Sequence, residues 1–264
     1  MTSVFKIEPT ELFPLLARAP IVEAVIEVRG RAEAIWEEHA IIERLKAKLP
    51  DYPSIVSGRA VRLTMEFAPP VAQPPAQLPI VEQAVRDMGW RGLRCDSADR
   101  RHVAQFNRDG FAFSRLAPYE SWSTFQQEGL RLWQVHVELA QPAEVQRLGL
   151  RFINRIAIPA GGDLEDYLQA PPKSLREIEL PFVGFLHHDT LAIPGYPYGA
   201  NFIKTIQPPQ GVESAGLILD IDVFTTQTVG LDQAAIEQHL AEMRWLKNKI
   251  FFGSITPKAL EMFK

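Results

Sequence analysis

The apolar side chains of two segments recur at every second position, which is the period of a β-strand. In residues 21–29 they alternate with Glu23, Glu27 and Arg29. Over residues 145–158, apolar side chains on one side alternate with arginines on the other. Because successive side chains of a strand point to opposite faces of its sheet, each segment is predicted to be a strand that buries one face.

A similar series of elements follows each of these strands. Apolar residues at helical spacing predict a helix over 32–49 and longer helices over 121–140 and 231–250. Alternating segments predict the remaining strands at 61–67, 90–95, 101–106, 111–116, 182–193, 202–207 and 216–225. Residues 80–88 are predicted to form a short helix, and Gly253 to be the C′ residue after the last long helix.

This order of elements predicts an α+β fold in which a β-α-β-β-β-α unit occurs twice. Residues 15–142 form the first unit and residues 143–264 the second, within a single domain that spans 1–264. The two units are expected to join into one continuous antiparallel sheet with the helices packed on one face. Such an arrangement is TATA-binding-protein-like or helix-grip-like, and a topology of this kind carries no function by itself.

The composition is typical of a globular protein, with 46% hydrophobic and 23% charged residues among 264. It excludes a disordered chain, a collagen-like repeat and a disulfide scaffold. Cys95 is the single cysteine, so no intramolecular disulfide forms, and this suits a cytoplasmic location. No stretch approaches the ~18 apolar residues of a membrane span. A net charge of −4 disfavours sequence-independent nucleic-acid binding but leaves room for a local basic strip.

Three arginines, Arg147, Arg151 and Arg155, share the outward face of the predicted strand 145–158 and are called the Arg strip. A guanidinium binds phosphate or carboxylate through two parallel hydrogen bonds, so the Arg strip is a candidate anion-binding surface. The alternative is a solvated strand face on which these arginines pair with neighbouring carboxylates, because antiparallel sheets commonly leave one face wet.

Two aspartates, Asp220 and Asp222, share one face of the predicted strand 216–225. Carboxylate oxygens are ligands for Mg²⁺ and Mn²⁺, so the pair is a candidate metal site of an enzyme acting on a phosphorylated substrate. Two ligands specify little, and the alternative is a cross-strand ladder in which the aspartates pair with the Arg strip.

Other chemistry-bearing residues give weaker signals. Adjacent residues of a strand point to opposite faces, so His187 and His188 are not expected to share an ion with Asp189. Cys95 with His102 as its base is a candidate nucleophile, although a lone cysteine is more often a small buried apolar residue. The sequence contains no Gly-rich phosphate loop, nucleophile elbow or zinc cluster, and no cofactor is indicated.

Two proline-containing loops, 68–79 and 194–199, are candidate interaction surfaces. Proline fixes the backbone angles of both loops. At the second loop, Tyr196 and Tyr198 are predicted to be exposed and to form a contact surface, because tyrosine is enriched at protein interfaces. The alternative is an ordinary loop whose tyrosine rings cover the end of the sheet.

Three separated segments, APIVEAVIEVR at 19–29, RLGLRFINRIAIP at 147–159 and FFGSITPKALEMF at 251–263, carry a family resemblance. They resemble a sporadically distributed family of uncharacterised bacterial proteins of similar length. The resemblance spans nearly the whole chain and brings no catalytic residue or cofactor with it. It implies an accessory gene, such as one in a phage-defence or toxin-linked locus.

The sequence therefore predicts a non-catalytic binding protein whose expected partner is another protein, contacted through the open sheet face and the proline-containing loops. Two alternatives stay open. One is a metal-dependent enzyme that acts on a phosphorylated substrate, and the other is a nucleotide or nucleic-acid sensor that uses the Arg strip.

Overall fold

The computed structural model describes residues 5–65, 83–159, 162–173, 184–207 and 215–264. These residues form an α+β architecture with one sheet of nine strands and four α-helices. In chain order the elements are β1 (Ile21–Arg29), α1 (Glu38–Lys48), β2 (Ser54–Met65), β3 (Gln83–Asp96), β4 (His102–Asn107), β5 (Gly110–Leu116), α2 (Trp122–Ala140), β6 (Arg147–Ile158), β7 (Leu186–Ala192), β8 (Tyr198–Gln207), β9 (Ala215–Thr225), α3 (Gln233–Ser254) and α4 (Pro257–Glu261).

The strands follow the order β2-β3-β4-β5-β1-β6-β9-β8-β7 across the sheet. Every pairing in the described ranges is antiparallel. The two strands that open the predicted series, β1 and β6, lie side by side at the centre, with Ile26 opposite Leu150. Outward from β1 the order is β5-β4-β3-β2, and outward from β6 it is β9-β8-β7.

The two long helices α2 and α3 pack against the same face of the sheet. A β-carbon on Gly129 of α2 would stand 2.7 Å from the side chain of Ile26 and 3.2 Å from the ring of Phe113, so α2 lies close to β1 and β5 there. On α3, Nζ of Lys247 lies 4.0 Å from the ring centroid of Phe152 in β6. The opposite face, which carries the Arg strip, is called the open face.

Several predicted element boundaries differ from the structure. The helix predicted over 32–49 begins only at Glu38, and Ile35, which was expected on its buried stripe, is 81% exposed. The helix predicted over 80–88 is wrong from Gln83 onward, because β3 begins there. Gly253 lies inside α3, whose C-cap is Ile255. The predicted loop 68–79 lies outside the described residues.

Other predictions are confirmed. The strands predicted at 101–106 and 111–116 are β4 and β5, which pair as a hairpin. The helix predicted over 121–140 is α2, whose N-cap Ser121 accepts a hydrogen bond from the backbone N–H of Thr124. Among the helices of the described ranges, none is long and apolar enough to cross a membrane.

Candidate functional site on the open face

The open face contains a depression of about 700 Å³ near the centre of the sheet. Gly110 and Ala112 of β5 and Gly149 of β6 line it with little or no side chain. Arginines and carboxylates of β1, β6 and β9 also line it, among them Glu27 and Arg147. The sequence therefore creates a polar hollow by placing its smallest residues between charged ones.

Glycines allow two arginines of the Arg strip to lie flat on the sheet. A β-carbon at Gly149 would stand 2.4 Å from Nη1 of Arg147, which is closer than real β-carbon contacts. Arg155 of β6 has a similar neighbour on β9, where a β-carbon at Gly216 would stand 2.6 Å from its Nε. Arg147 therefore lies over its own strand, and Arg155 lies over the neighbouring strand.

Arg147 is held by carboxylates of both neighbouring strands. It donates hydrogen bonds to Glu27 of β1 and to Asp222 of β9, the latter at 2.7 Å. Its guanidinium carbon also lies 4.8 Å from the ring centroid of Phe224. Burial raises the pKa of Asp222, and the charge of Arg147 opposes that rise. Arg147 thus links β1, β6 and β9, and an anionic ligand would have to replace these bonds.

The other two arginines of the Arg strip also have partners. Arg151 donates from Nε and Nη2 to the two carboxylate oxygens of Asp220, the first at 2.7 Å. These hydrogen bonds raise the pKa of Arg151. Arg155 donates to Oε1 of Gln207 on β8 at 3.3 Å. The alternative of a ladder that joins the Arg strip to Asp220 and Asp222 is therefore present in the structure.

This pairing bears on the candidate metal site. Asp220 and Asp222 both direct oxygens at arginines, so a cation would compete with two guanidinium groups. In the described ranges, no group of three or more His, Cys, Asp or Glu side chains is placed to hold a metal ion. His187 contacts Asp189 at 3.1 Å, whereas His188 contacts Asn201 at 3.4 Å.

The environment of Cys95 does not favour the candidate nucleophile. The side chain is fully buried on β3, and burial raises the pKa of its thiol to about 12. The thiolate is the reactive form of cysteine, so this thiol is inert at neutral pH. Burial also lowers the pKa of His102, which stacks on the ring of Phe113.

The prediction that Tyr198 is an exposed contact residue is wrong. Its side chain is 2% exposed, and its hydroxyl lies 2.6 Å from Nδ1 of His239 and 2.6 Å from a carboxylate oxygen of Glu242 on α3. The reason is that β8 begins at Tyr198, four positions before the predicted strand, and its alternation puts Tyr198 on the same face as buried Phe202. The ring of Tyr198 covers the helix-side end of the sheet, as expected if 194–199 is an ordinary loop and not a contact surface.

Tyr196 is partly buried and packs against the N-terminal segment. Its hydroxyl accepts a hydrogen bond from the backbone N–H of Ile7 at 3.1 Å, and its ring meets that of Phe5 edge-on at 6.2 Å. These contacts tie the loop 194–199 to residues 5–7. Tyr196 therefore lies on a different surface from the Arg strip.

Sequence reasoning did not identify three participants of the open-face site, namely Glu27, Gly149 and Phe224. Glu27 was recognised as an outward residue of its strand, but its role depends on β1 lying next to β6. Gly149 was visible as an interruption between arginines, and a glycine within a strand often marks close approach of another group. Phe224 gave no signal, because an apolar residue near the end of a strand is ordinary.

Comparisons with protein-family models, with curated proteins and with solved structures found no match to the chain.

Proposed function

We propose that the chain is a non-catalytic binding protein that binds another protein through the open face. The observation that carries this proposal is the depression of about 700 Å³, which is lined by small residues and by ion-paired arginines on the face opposite α2 and α3. A hollow of this size accepts a side chain or a turn from a partner. Arginine is among the residues enriched at protein interfaces.

The charge pattern favours a protein over a nucleic acid as the partner. Nucleic-acid affinity comes largely from cations that neutralise phosphates. Here Arg147 and Arg151 are already paired with Glu27, Asp220 and Asp222. A surface that presents both signs of charge can instead exchange hydrogen bonds and ion pairs with the mixed surface of a protein.

The same pairs argue against the metal-dependent enzyme. Binding Mg²⁺ at Asp220 and Asp222 would release the partly buried guanidinium of Arg147 and the exposed guanidinium of Arg151. Both aspartates would give up ion pairs that they already form, and no group of three or more His, Cys, Asp or Glu side chains in the described ranges is placed to hold the metal in exchange. We therefore do not propose this activity.

Filling the depression tests the proposal. Ala112→Arg places a long side chain in the hollow, and Ala234→Arg makes the same change on the exposed first turn of α3. Tagged full-length chains are expressed in the native host, and the proteins that co-purify are quantified by mass spectrometry. We expect partners that both the wild type and Ala234→Arg retain and that Ala112→Arg loses.

Equal recovery of the same proteins by all three chains would overturn the proposal, and so would the absence of any enriched protein with the wild type. Thermal melts of the three chains establish that each is folded. Arg91→Glu at the rim, with Arg100→Glu in the β3–β4 turn as its control, repeats the comparison by charge reversal instead of volume.

We further propose that the sheet is built from a duplicated unit, with residues 15–142 and 143–264 as its TATA-binding-protein-like or helix-grip-like halves. Two features support this proposal: outward from β1 and from β6 the strands follow in reverse chain order, and a long helix comes after each series. The match is partial, because four strands flank β1 and three flank β6, and the described residues contain no α-helix between β6 and β7 that would correspond to α1. The free, buried thiol of Cys95 supports a cytoplasmic location. Membership in the sporadic bacterial family and an origin in a defence locus remain proposals that the neighbouring genes would test.

A further inference from the structure

Two cations of α3, Arg244 and Lys247, have aromatic rings as partners instead of carboxylates. The guanidinium carbon of Arg244 lies 5.2 Å from the ring centroid of Trp122, and Nζ of Lys247 lies 4.0 Å from that of Phe152. No carboxylate oxygen of the described residues lies within 4.0 Å of either cation.

The ammonium group of Lys247 is costly in this position. Phe152 beneath it is a core residue that is 1% exposed, and Lys247 is itself partly buried. Burial, with a smaller contribution from the nearby charge of Arg244, lowers the pKa of Lys247 to about 7. A buried cation is normally compensated by an anion or by hydrogen bonds. An anion placed between Lys247 and Arg244 would supply that compensation.

Aromatic side chains complete the surroundings of these cations. Tyr119 meets Phe152 edge-on at 5.6 Å, so its ring lies beside the same floor as Lys247. Burial raises the pKa of Tyr119, and its phenol stays protonated as a hydrogen-bond donor. Trp122 is the first residue of α2, and the N-terminus of a helix carries a partial positive charge that favours anions.

We propose that Tyr119, Trp122, Phe152, Arg244 and Lys247 form a binding site for a small aromatic carboxylate. The carboxylate accepts hydrogen bonds from Lys247 and Arg244, and the ring lies against Tyr119 and Trp122. Charge-assisted hydrogen bonds to the two cations fix the anionic end. Ring contacts with aromatic residues favour a flat apolar body. The site lies on the helix-covered side of the sheet and does not depend on the protein-binding proposal.

Benzoate is the probe that tests this site, with two matched relatives. Benzamide keeps the ring and removes the charge, and acetate keeps the charge and removes the ring. Binding to the full chain is followed by calorimetry and by NMR of the lysine amines. We expect benzoate to bind at millimolar or lower concentration and at least about tenfold more tightly than either relative, because each relative lacks one half of the recognition.

Variants locate the binding. Lys247→Met keeps an unbranched apolar side chain without the charge. Arg244→Gln removes the second cation, and because Arg244 is exposed, this substitution leaves the core intact. Each is expected to weaken benzoate binding by about tenfold, the usual effect of losing one charge-assisted hydrogen bond. Lys46→Met on the exposed face of α1 is the control and leaves the affinity unchanged. Wild-type affinity in both Lys247→Met and Arg244→Gln would overturn the proposal, and so would the absence of benzoate binding to the wild type.

The pH dependence gives a readout that a structural role would not produce. Arg244 is the charged neighbour of Lys247 and Tyr119 its phenolic neighbour, and because burial raises the pKa of Tyr119, that phenol keeps its proton near neutral pH. Benzoate affinity in the wild type should therefore fall as the pH rises above about 7, where Lys247 loses its proton, and the total fall should be about tenfold, as in Lys247→Met. In Lys247→Met the affinity should not vary over this range. A flat profile in the wild type would contradict the assignment of Lys247.

Discussion

At the scale of single residues, His136 is a buried polar side chain that has no hydrogen-bond partner among the described residues. It is 0% exposed, and neither ring nitrogen has a hydrogen-bond partner in the described residues. The rings of Trp36, Phe106, Phe111 and Trp133 lie around it at centroid distances of 5.5 to 6.2 Å. Burial lowers the pKa of His136 to about 3, so the imidazole is neutral in the folded protein at all ordinary pH values.

This burial predicts an acid-sensitive stability. The unfolded chain binds a proton at His136 below its ordinary pKa of about 6.5, whereas the folded chain does so only near 3. The stability that comes from keeping His136 neutral is therefore fully present above pH 6.5. As the pH falls from 6.5 to 3, the free energy of unfolding decreases by about 1.4 kcal/mol per pH unit. Denaturant unfolding of wild type and His136→Phe across this range should show a shallower acid decline in the variant.

The control for this measurement is His39→Phe, because His39 is exposed on α1. Comparison of the two variants separates the loss of an enclosed histidine from the loss of an exposed one. If His136→Phe had the same slope as the wild type, His136 would be accessible to protons in the folded state, and the aromatic enclosure described above would be incorrect.

A second prediction at this scale concerns Gly149. Gly149→Ala places a methyl group where Nη1 of Arg147 lies, so the guanidinium must leave its bonds to Glu27 and Asp222. We expect a loss of unfolding free energy of at least about 1.5 kcal/mol, the lower end of the net value of a hydrogen bond between charged groups. In an Arg147→Met background the same substitution should cost less. Equal costs in both backgrounds, measured by denaturant unfolding, would mean that Arg147 and Gly149 are not coupled.

At the scale of elements, the sequence and the structure place Gly253 differently at the end of α3. The sequence pattern predicts a C′ residue, and a C′ glycine commonly adopts a left-handed conformation that alanine disfavours. In the structure Gly253 lies within α3 before the C-cap Ile255, and no heavy atom stands within 4 Å of an added β-carbon. The two placements predict opposite effects of alanine.

Gly253→Ala should stabilise the protein by about 0.5–1 kcal/mol, because alanine loses less conformational entropy than glycine in a helix interior. The midpoint of thermal or denaturant unfolding measures this. Gly195→Ala is the matched contrast, since Gly195 has a φ of +80° and an alanine there is strained. A destabilised Gly253→Ala would place the residue at the helix end after all.

The period of the apolar residues predicts a helix or strand correctly where the pattern runs through the whole element. The hairpin of β4 and β5 and the long helices were predicted because their apolar spacing is uninterrupted. It failed where tertiary context decides. The residues from Gln83 onward have no clear period and become a strand by pairing with β2. Ile35 satisfies a helical stripe, yet the chain before Glu38 is not helical.

In the candidate site, too, local patterns predict some features and tertiary contacts decide the others. Alternation alone placed the Arg strip on one face and both aspartates on one face of another strand. The arginines and aspartates pair because β6 and β9 are neighbours, as the cross-strand ladder predicts. The contribution of Glu27 required the order of strands at the centre of the sheet, which no local pattern encodes. Tyr198 was misplaced because the start of β8 decides which face it occupies.

At the scale of the whole molecule, the contact between β1 and β6 makes the two halves of the chain one folding unit. These strands belong to residues 15–142 and 143–264, yet they pair at the centre of the sheet. Phe152 of the second half packs edge-on against Phe125 of the first at 5.9 Å. One hydrophobic core extends through both halves, so neither half can lose its structure without exposing apolar surface of the other.

This continuity predicts a single cooperative unfolding transition. Leu132→Ala in α2 and Leu240→Ala in α3 each remove a fully buried side chain, one from each half, and each should cost about 2–5 kcal/mol. With fluorotryptophan signals at Trp133 and Trp245 reporting on the two halves, both signals should be lost at one denaturant concentration, and either substitution should shift both equally. If Leu132→Ala moved only the signal of Trp133, the halves would unfold separately and the core would be divided at β1 and β6.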